Sequence, residues 1–285
     1  MIFTREPKKH PLAYFLLWGL VLAFALFWLV VAGGPFYYLI LTSLKSQGEF
    51  LSGSLFKLPK VFSLQNYAKV IEGGFYNYLF NSVVVLAVSL TLLLFIAACA
   101  AYPISRMQFK LNRPIFGIIV AAMSVPIHIT LIPVFTMSIR LNLYDTIWAL
   151  IGPNIAFNLP LSIFVLTVFM QGISRELEEA ADIDGCGKFR TFFNVIFPLS
   201  KSGLATLAIY NGVIIWNEFS FVMVLTQSQP SRTLPLAVWE YQGQYTMNIP
   251  VIMALLILSS LPIILLYIFG QDKLVKGMMA GAVKG

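Results

Sequence analysis

The residues able to do chemistry are few, and their pattern suits hydrogen bonding rather than bond breaking. The 285 residues include two histidines, His10 and His128, and two cysteines, Cys99 and Cys186. Neither histidine has neighbours at metal-ligand spacing, and no Ser–His pair marks an activated nucleophile, so neither an enzyme nor a cofactor is expected. Polar side chains recur instead at helical spacing inside apolar sequence. Asn154, Asn158 and Ser162 come every four residues; Asn211 and Glu218 are seven apart, with Tyr210 and Asn217 beside them. Ser124 and His128 are four apart near Pro126 and Pro133, which should kink their helix. Such groups can hydrogen-bond a polar solute or tie one helix to the next. For Asn154, Asn158, Ser162 and Asn211, tying helices is the first expectation and lining a translocation path the second. Glu218 is open to three roles: solute contact, gating or bonding to a partner subunit. His128 reads as structural.

One glycine-rich stretch imitates a nucleotide site. Gly185-Cys-Gly-Lys188 lacks the glycine that a phosphate loop needs at 182, which is Asp, and the hydroxyl it needs at 189, which is Phe. ATP is not bound here by that motif.

The elements that position these groups are membrane helices. Hydrophobic residues make up 59% of the chain against 11% charged, and mean hydropathy is +0.83. A soluble domain of this length would need far more charge at its surface. A bilayer core about 30 Å thick takes about 20 apolar residues. Six blocks of that size lie near 12–41, 79–102, 115–139, 147–170, 203–226 and 249–270. Lipid cannot satisfy bare backbone groups, so each is expected to be helical, and the alternation of a membrane barrel is absent. The expectation is an all-α integral membrane protein with six transmembrane helices in one domain over 1–285. The first block is too long for a signal h-region and reads as a retained helix, open to a break at Gly33-Gly34-Pro35. The two cysteines imply no disulfide framework.

Charge sets the orientation. Six spans put both termini on one side, and 13 basic residues, among them Arg106, Arg175 and Lys188, share that side against 6 opposite, together all 19. The positive-inside rule makes it the cytosol. This bias explains the net charge of +7, so no nucleic-acid partner is implied.

Two outer loops have features of their own. In 45–78, Ser63 is the expected N-cap of a short helix that Gly73-Gly74 stop. In 227–248, Trp239, Tyr241 and Tyr245 read as interfacial anchors.

The inner loop, about 171–201, carries the sharpest pattern. Ile173, Leu177, Ala180 and Asp184 share roughly one helical face, among Glu176, Glu178, Glu179 and Asp182. Gly185 interrupts, as where a helix ends in left-handed geometry. Phe189, Phe192, Phe193 and Ile196 follow at i, i+3, i+4, i+7, and Pro198 closes the segment. The loop therefore reads as helix, glycine turn, helix. Its acidic first half argues against lying on an anionic leaflet. Packing under its own bundle and docking to a cytoplasmic partner both remain open.

Glu179-Ala180-Ala181, three residues, Gly185, nine residues, Val195, one residue and Phe197-Pro198 resembles the EAA loop of ABC importer permeases. Val195 and Phe197 depart from the family's usual Ile and Leu but stay apolar. Asp184-Gly185, Trp216-Asn217-Glu218-Phe219, Ser43-Leu44-Lys45 and the tail Gly277-Met-Met-Ala-Gly-Ala-Val-Lys-Gly285 resemble its carbohydrate, maltose-permease-like branch. The resemblance implies a second homologous permease, two ATPase subunits, an extracytoplasmic solute-binding protein, a carbohydrate substrate and alternating access. It also implies that Glu179, Ala180, Ala181, Asp184, Gly185, Phe189 and Pro198 belong to an ATPase-coupling loop. There Ala180 and Ala181 would give the small face, Glu179 the charge and Gly185 the turn. The tail's small residues would reach towards the ATPase. An ion-gradient-driven secondary transporter also accounts for six spans and Glu218, but leaves this loop without a role.

Overall fold

A computed structural model describes residues 11–53, 56–241 and 247–282, all helical or irregular apart from one bridge residue, Met247. Arg5, Lys8, Lys9, His10, Tyr245 and the last three residues of the tail lie outside them. By contacts the chain divides into two compact units, 1–73 with 241–257 and 74–240 with 258–285.

The first unit opens with α1 (Pro11–Ser43), which is apolar on every side and runs unbroken through Gly33, Gly34 and Pro35. The break envisaged there is absent. Two short helices follow, α2 (Gln47–Ser52), capped by the Ser46 hydroxyl, and α3 (Gln65–Glu72). Helix α3 starts after Leu64; Ser63 lies one residue too early to cap it and instead accepts from the Gln65 N–H at 3.2 Å. Asn66 ties α3 to the end of α1, donating to the Ser43 and Lys45 carbonyls at 2.7 and 2.8 Å.

The second unit is organised around α4 (Phe75–Arg106). Next come α5 (Asn112–Ala122) and α6 (Leu131–Arg140), then α7 (Ile151–Gln171), α8 (Glu176–Ile183) and α9 (Lys188–Thr191). A π-helical turn, Phe192–Ile196, leads into α10 (Phe197–Leu199) and α11 (Lys201–Trp216). Helices α12 (Ser220–Leu225), α13 (Leu234–Ala237) and α14 (Ile249–Ala282) complete the chain, the start of α14 belonging with the first unit. Ala97, Ala98 and Ala101 of α4 let it approach Leu166 and Met170 of α7, and Leu207 of α11 joins the same core. At Gly203 of α11 a Cβ would stand 2.9 Å from the Phe169 ring, so glycine is what permits that contact.

Each apolar block is helical, and Tyr14–Ser43, Phe75–Arg106 and Ile147–Gln171 are each unbroken, apolar and long enough to cross a bilayer. The third block is two helices bent by 92° at Met123–Pro126. The residue before a proline resists α geometry, which places the break at Val125. Pro133 falls in the first turn of α6, where its missing N–H costs little, so it does not kink the helix as expected. His128 sits in a 3-10 turn, so Ser124 and His128 share no helical face. The fifth block, too, is bent by 68° from the preceding segment and then stops at Trp216. The apolar stretch Ile249–Leu265 opens α14, which continues as helix to Ala282.

Candidate functional site

The stretch 172–200 is built as two arms around a glycine. Helix α8 carries Glu176, Glu178 and Glu179 in its first turn, where they complement the helix dipole. It ends at Gly185, with φ +79°, as its position in the sequence predicts. The Gly185 N–H donates to Asp182 O and the Cys186 N–H to Ala181 O, at 3.1 and 2.9 Å, the paired bonds of a Schellman turn. Lys188 closes it with Nζ 2.8 Å from Asp182 Oδ2, and that carboxylate holds the ammonium pKa above its ordinary value. So exposed a pair adds only ~0–1 kcal/mol.

The second arm departs from the expected single apolar face. Phe192 and Ile196 are buried in the core, whereas Phe189 points away with 85% of its surface exposed and Phe193 is half-exposed. Phe189 precedes the π-helical turn and lies on the outer edge of the α-helical stretch, while the turn itself sets where Phe193 and Ile196 face. Pro198 has no N–H to return to Asn194, and the ladder widens before it: Phe197 N–H reaches Phe192 O. That shifts the register assumed for a regular helix. In α8, Ala181 is 7% exposed and packs inward, while Ala180 and Glu179 face out and Ile183 is 86% exposed. The two alanines therefore do not form one small outward face, as the sequence suggests. Asp184 is exposed at the turn, and Pro198 is half-buried.

Both arms rest on the last turn of α4. Arg106 donates from Nη2 to Ile173 O at 2.7 Å, and its Nε lies 3.0 Å from Glu178 Oε1. The two side chains are 3% and 13% exposed. One turn earlier the Tyr102 ring lies against Phe192, centroids 5.1 Å apart. Neither Arg106 nor Tyr102 was singled out by sequence, where Arg106 counts only as an inner charge. The signal that would have found it is a basic helix end facing an acidic first turn.

The intramembrane polar groups turn mostly inward. Asn154 donates to Leu150 O, Asn158 to Asn154 O and Ser162 to Asn158 O, at 2.9, 2.8 and 2.8 Å. Asn211 Nδ2 then donates to Ser162 Oγ at 3.0 Å, joining α11 to α7; both residues are fully buried. Asn217 and Glu218 lie past the end of α11, so Asn211 and Glu218 do not share a face. Glu218 caps the next helix: its carboxylate accepts from the Phe221 and Val222 N–H groups at 2.8 and 3.2 Å. Exposed Asn217 bonds back to Val213 O. Ser82, Asn154, Glu218 and Thr233 line one small void with room for about one water.

At the other end of α4 a collar forms. Asn81 donates to Pro230 O and Arg232 O at 2.7 and 2.8 Å, and Ser82 accepts from the Leu234 N–H. Asp145, at φ +58°, accepts from the Gln227 and Ser228 N–H groups at 2.7 and 2.8 Å. Partial desolvation pushes its pKa up, but these bonds outweigh it and hold the carboxyl below its ordinary value. Asp145 was missed; Asn142 and Asp145, two residues tolerant of left-handed geometry within one short loop, are the available signal. Among the described residues no group of three or more His, Cys, Asp or Glu could hold a metal ion.

A family model described as "Binding-protein-dependent transport system inner membrane component" matches residues 93–279, which take in the arms, their seat on α4 and the Glu218 break. The chain belongs to this family. This inner membrane component is thus a multi-pass permease of a transport system and not an enzyme. It is 48% identical over 285 residues to "Putative ABC transporter permease protein ORF2" of Caldicellulosiruptor sp. (strain Rt8B.4), covering 100% of both chains. It is 33% identical over 253 residues to "Melibiose/raffinose/stachyose import permease protein MelC" of Bacillus subtilis (strain 168), covering 88% of this chain and 91% of that one. Among solved structures it resembles a chain of a bacterial ABC transporter involved in the import of the acidic polysaccharide alginate. The TM-score is 0.76 at 23% identity, over 90% of this chain and 96% of that one, a likeness of fold. The resemblance read from the EAA pattern and the tail is to the group in which these relatives fall.

Proposed function

We propose that this permease is one of two membrane subunits of an ATP-driven importer that moves a sugar or oligosaccharide across the cytoplasmic membrane of a prokaryote by alternating access. The chain acts as one transmembrane domain with both termini in the cytosol, an orientation supported by the 13-to-6 division of basic residues. A second homologous permease completes the path, and an extracytoplasmic solute-binding protein delivers cargo. Names of relatives support the carbohydrate class: MelC for melibiose, raffinose and stachyose, and AraQ of Bacillus subtilis, 30% identical, for arabino-oligosaccharides.

One observation carries the coupling mechanism. Ile183 and Phe189 stand 86% and 85% exposed on either side of the Gly185 turn, while the arms beneath them are fastened to α4. Large apolar side chains held bare on an anchored frame call for a partner surface. Two ATPase subunits would grip one such loop on each permease. Closure of the ATPase dimer on ATP would push α8 and the π-helical arm, and through them α4 and α7, turning the path from inward-facing to outward-facing. Glu179, Ala180 and Asp184 lie on the gripped side; Gly185 and Pro198 fix the arms' geometry. Along the path, exposed Asn217 is the candidate for solute contact, with Glu218 holding the break beside it.

The test is uptake by proteoliposomes carrying the whole complex, with its binding protein and a panel of labelled mono- and oligosaccharides. With ion gradients collapsed, uptake should rise at least tenfold on enclosing ATP. Uptake that instead follows an imposed ion gradient would replace this reading with a secondary transporter.

A further inference from the structure

A single guanidinium joins three elements at the foot of the bundle. Arg106 ends α4, its Nη2 holds the carbonyl of Ile173 just beyond α7, and its Nε faces the Glu178 carboxylate on α8 at 3.0 Å. Burial makes this contact stiff, since neither side chain has water to exchange for its partner. We infer that Arg106 and Glu178 are the positioning pair through which displacement of α8 becomes displacement of α4 and α7. The inference rests on the coupling proposed above and adds to it the residues that transmit the push. The second arm meets α4 through apolar packing, with Phe192 and Ile196 in one core with Ala98 and Tyr102, and such packing slides where a buried ion pair beside a hydrogen bond to Ile173 O does not. Lysine at 106 would keep the charge but offers one point where the guanidinium offers a fork, so it cannot serve Ile173 and Glu178 together.

The experiment measures ATP hydrolysis and sugar uptake together in proteoliposomes holding the complete transporter. Arg106→Lys and Glu178→Gln are the mild variants, chosen because each keeps the volume of the site nearly intact. Uptake per ATP hydrolysed should fall at least fivefold in both. A variant that merely folded less well would lower both rates and leave the ratio unchanged. Arg106→Glu alone should be worse, and Arg106→Glu with Glu178→Arg should recover at least threefold over it. Ratios within twofold of wild type in both mild variants, or no recovery in the exchanged pair, would overturn the inference while leaving an ATP-driven wild type as evidence for coupling. A wild type whose uptake ignores ATP would remove the coupling reading and the pair's role with it.

Discussion

The two ends of α4 both hold neighbouring carbonyls, yet they differ in what they leave bare. At its start, Asn81 and Ser82 grip main-chain atoms of 230–234, and Asp145 does the same for 227–228. Roughly 36 Å further on, at 1.5 Å per helical residue, the last two turns meet the arms through one carbonyl, Ile173 O on Arg106, and through side chains, Glu178 beside Arg106 and Phe192 against Tyr102. The collar buries its large apolar residues, Leu225, Leu234 and Leu236, whereas the arms leave Ile183 and Phe189 bare. One end is finished within the chain. The other, in the coupling proposed above, takes a surface from the ATPase.

That contrast can be broken most severely at Arg106. Arg106→Met strands the Glu178 carboxylate, and breaking a buried pair costs about 3–5 kcal/mol. Thermal unfolding of the purified subunit should shift down accordingly, and Glu178→Gln, which strands the Arg106 guanidinium instead, should also lower it; an unchanged transition in both would mean that the buried pair does not hold α8 to α4. Next is Gly185→Val. No atom lies within 4 Å of the added Cβ, so the effect is that of left-handed backbone alone, about 1–2 kcal/mol, read as weaker co-purification of the ATPase. Full binding would show that the turn is not needed in that geometry.

At the collar, acid should act through Asp145. Its folded pKa lies below the ordinary carboxylate value, so its contribution is present above about pH 4 and fades as pH falls through the folded value. Wild type should lose stability in that window more steeply than Asp145→Asn; parallel curves would contradict the clamp. Smallest of all, Ser162→Ala removes the α7–α11 bond, worth about 0.6 kcal/mol. A larger loss, or lost uptake with stability intact, would return Asn211 to the translocation path.

Sequence periodicity located every apolar block because burial in lipid needs unbroken apolar length, and that is written locally. The left-handed Gly185 was equally legible, since one residue type dominates such turns. Faces were harder. The spacing of Phe189, Phe192, Phe193 and Ile196 presumes 3.6 residues per turn, which the π-helical turn at 192–196 breaks, and it does not say which half of an apolar face meets the core. Asn211 and Glu218 fit one face only while the helix continues, and Glu218 itself caps the helix that starts afresh. Arg106 and Asp145 act on partners 67 to 83 residues away in the chain, a separation no local pattern encodes.

The most direct measurement places a cysteine at Ile183, with Cys99 and Cys186 replaced by serine, and treats the assembled transporter with a short bifunctional cross-linker. Position 183 should capture the ATPase, while a cysteine at Ala181, packed against its own chain, should not. An intact complex in which 183 captures nothing would mean that the loop is not the lever on which ATP acts.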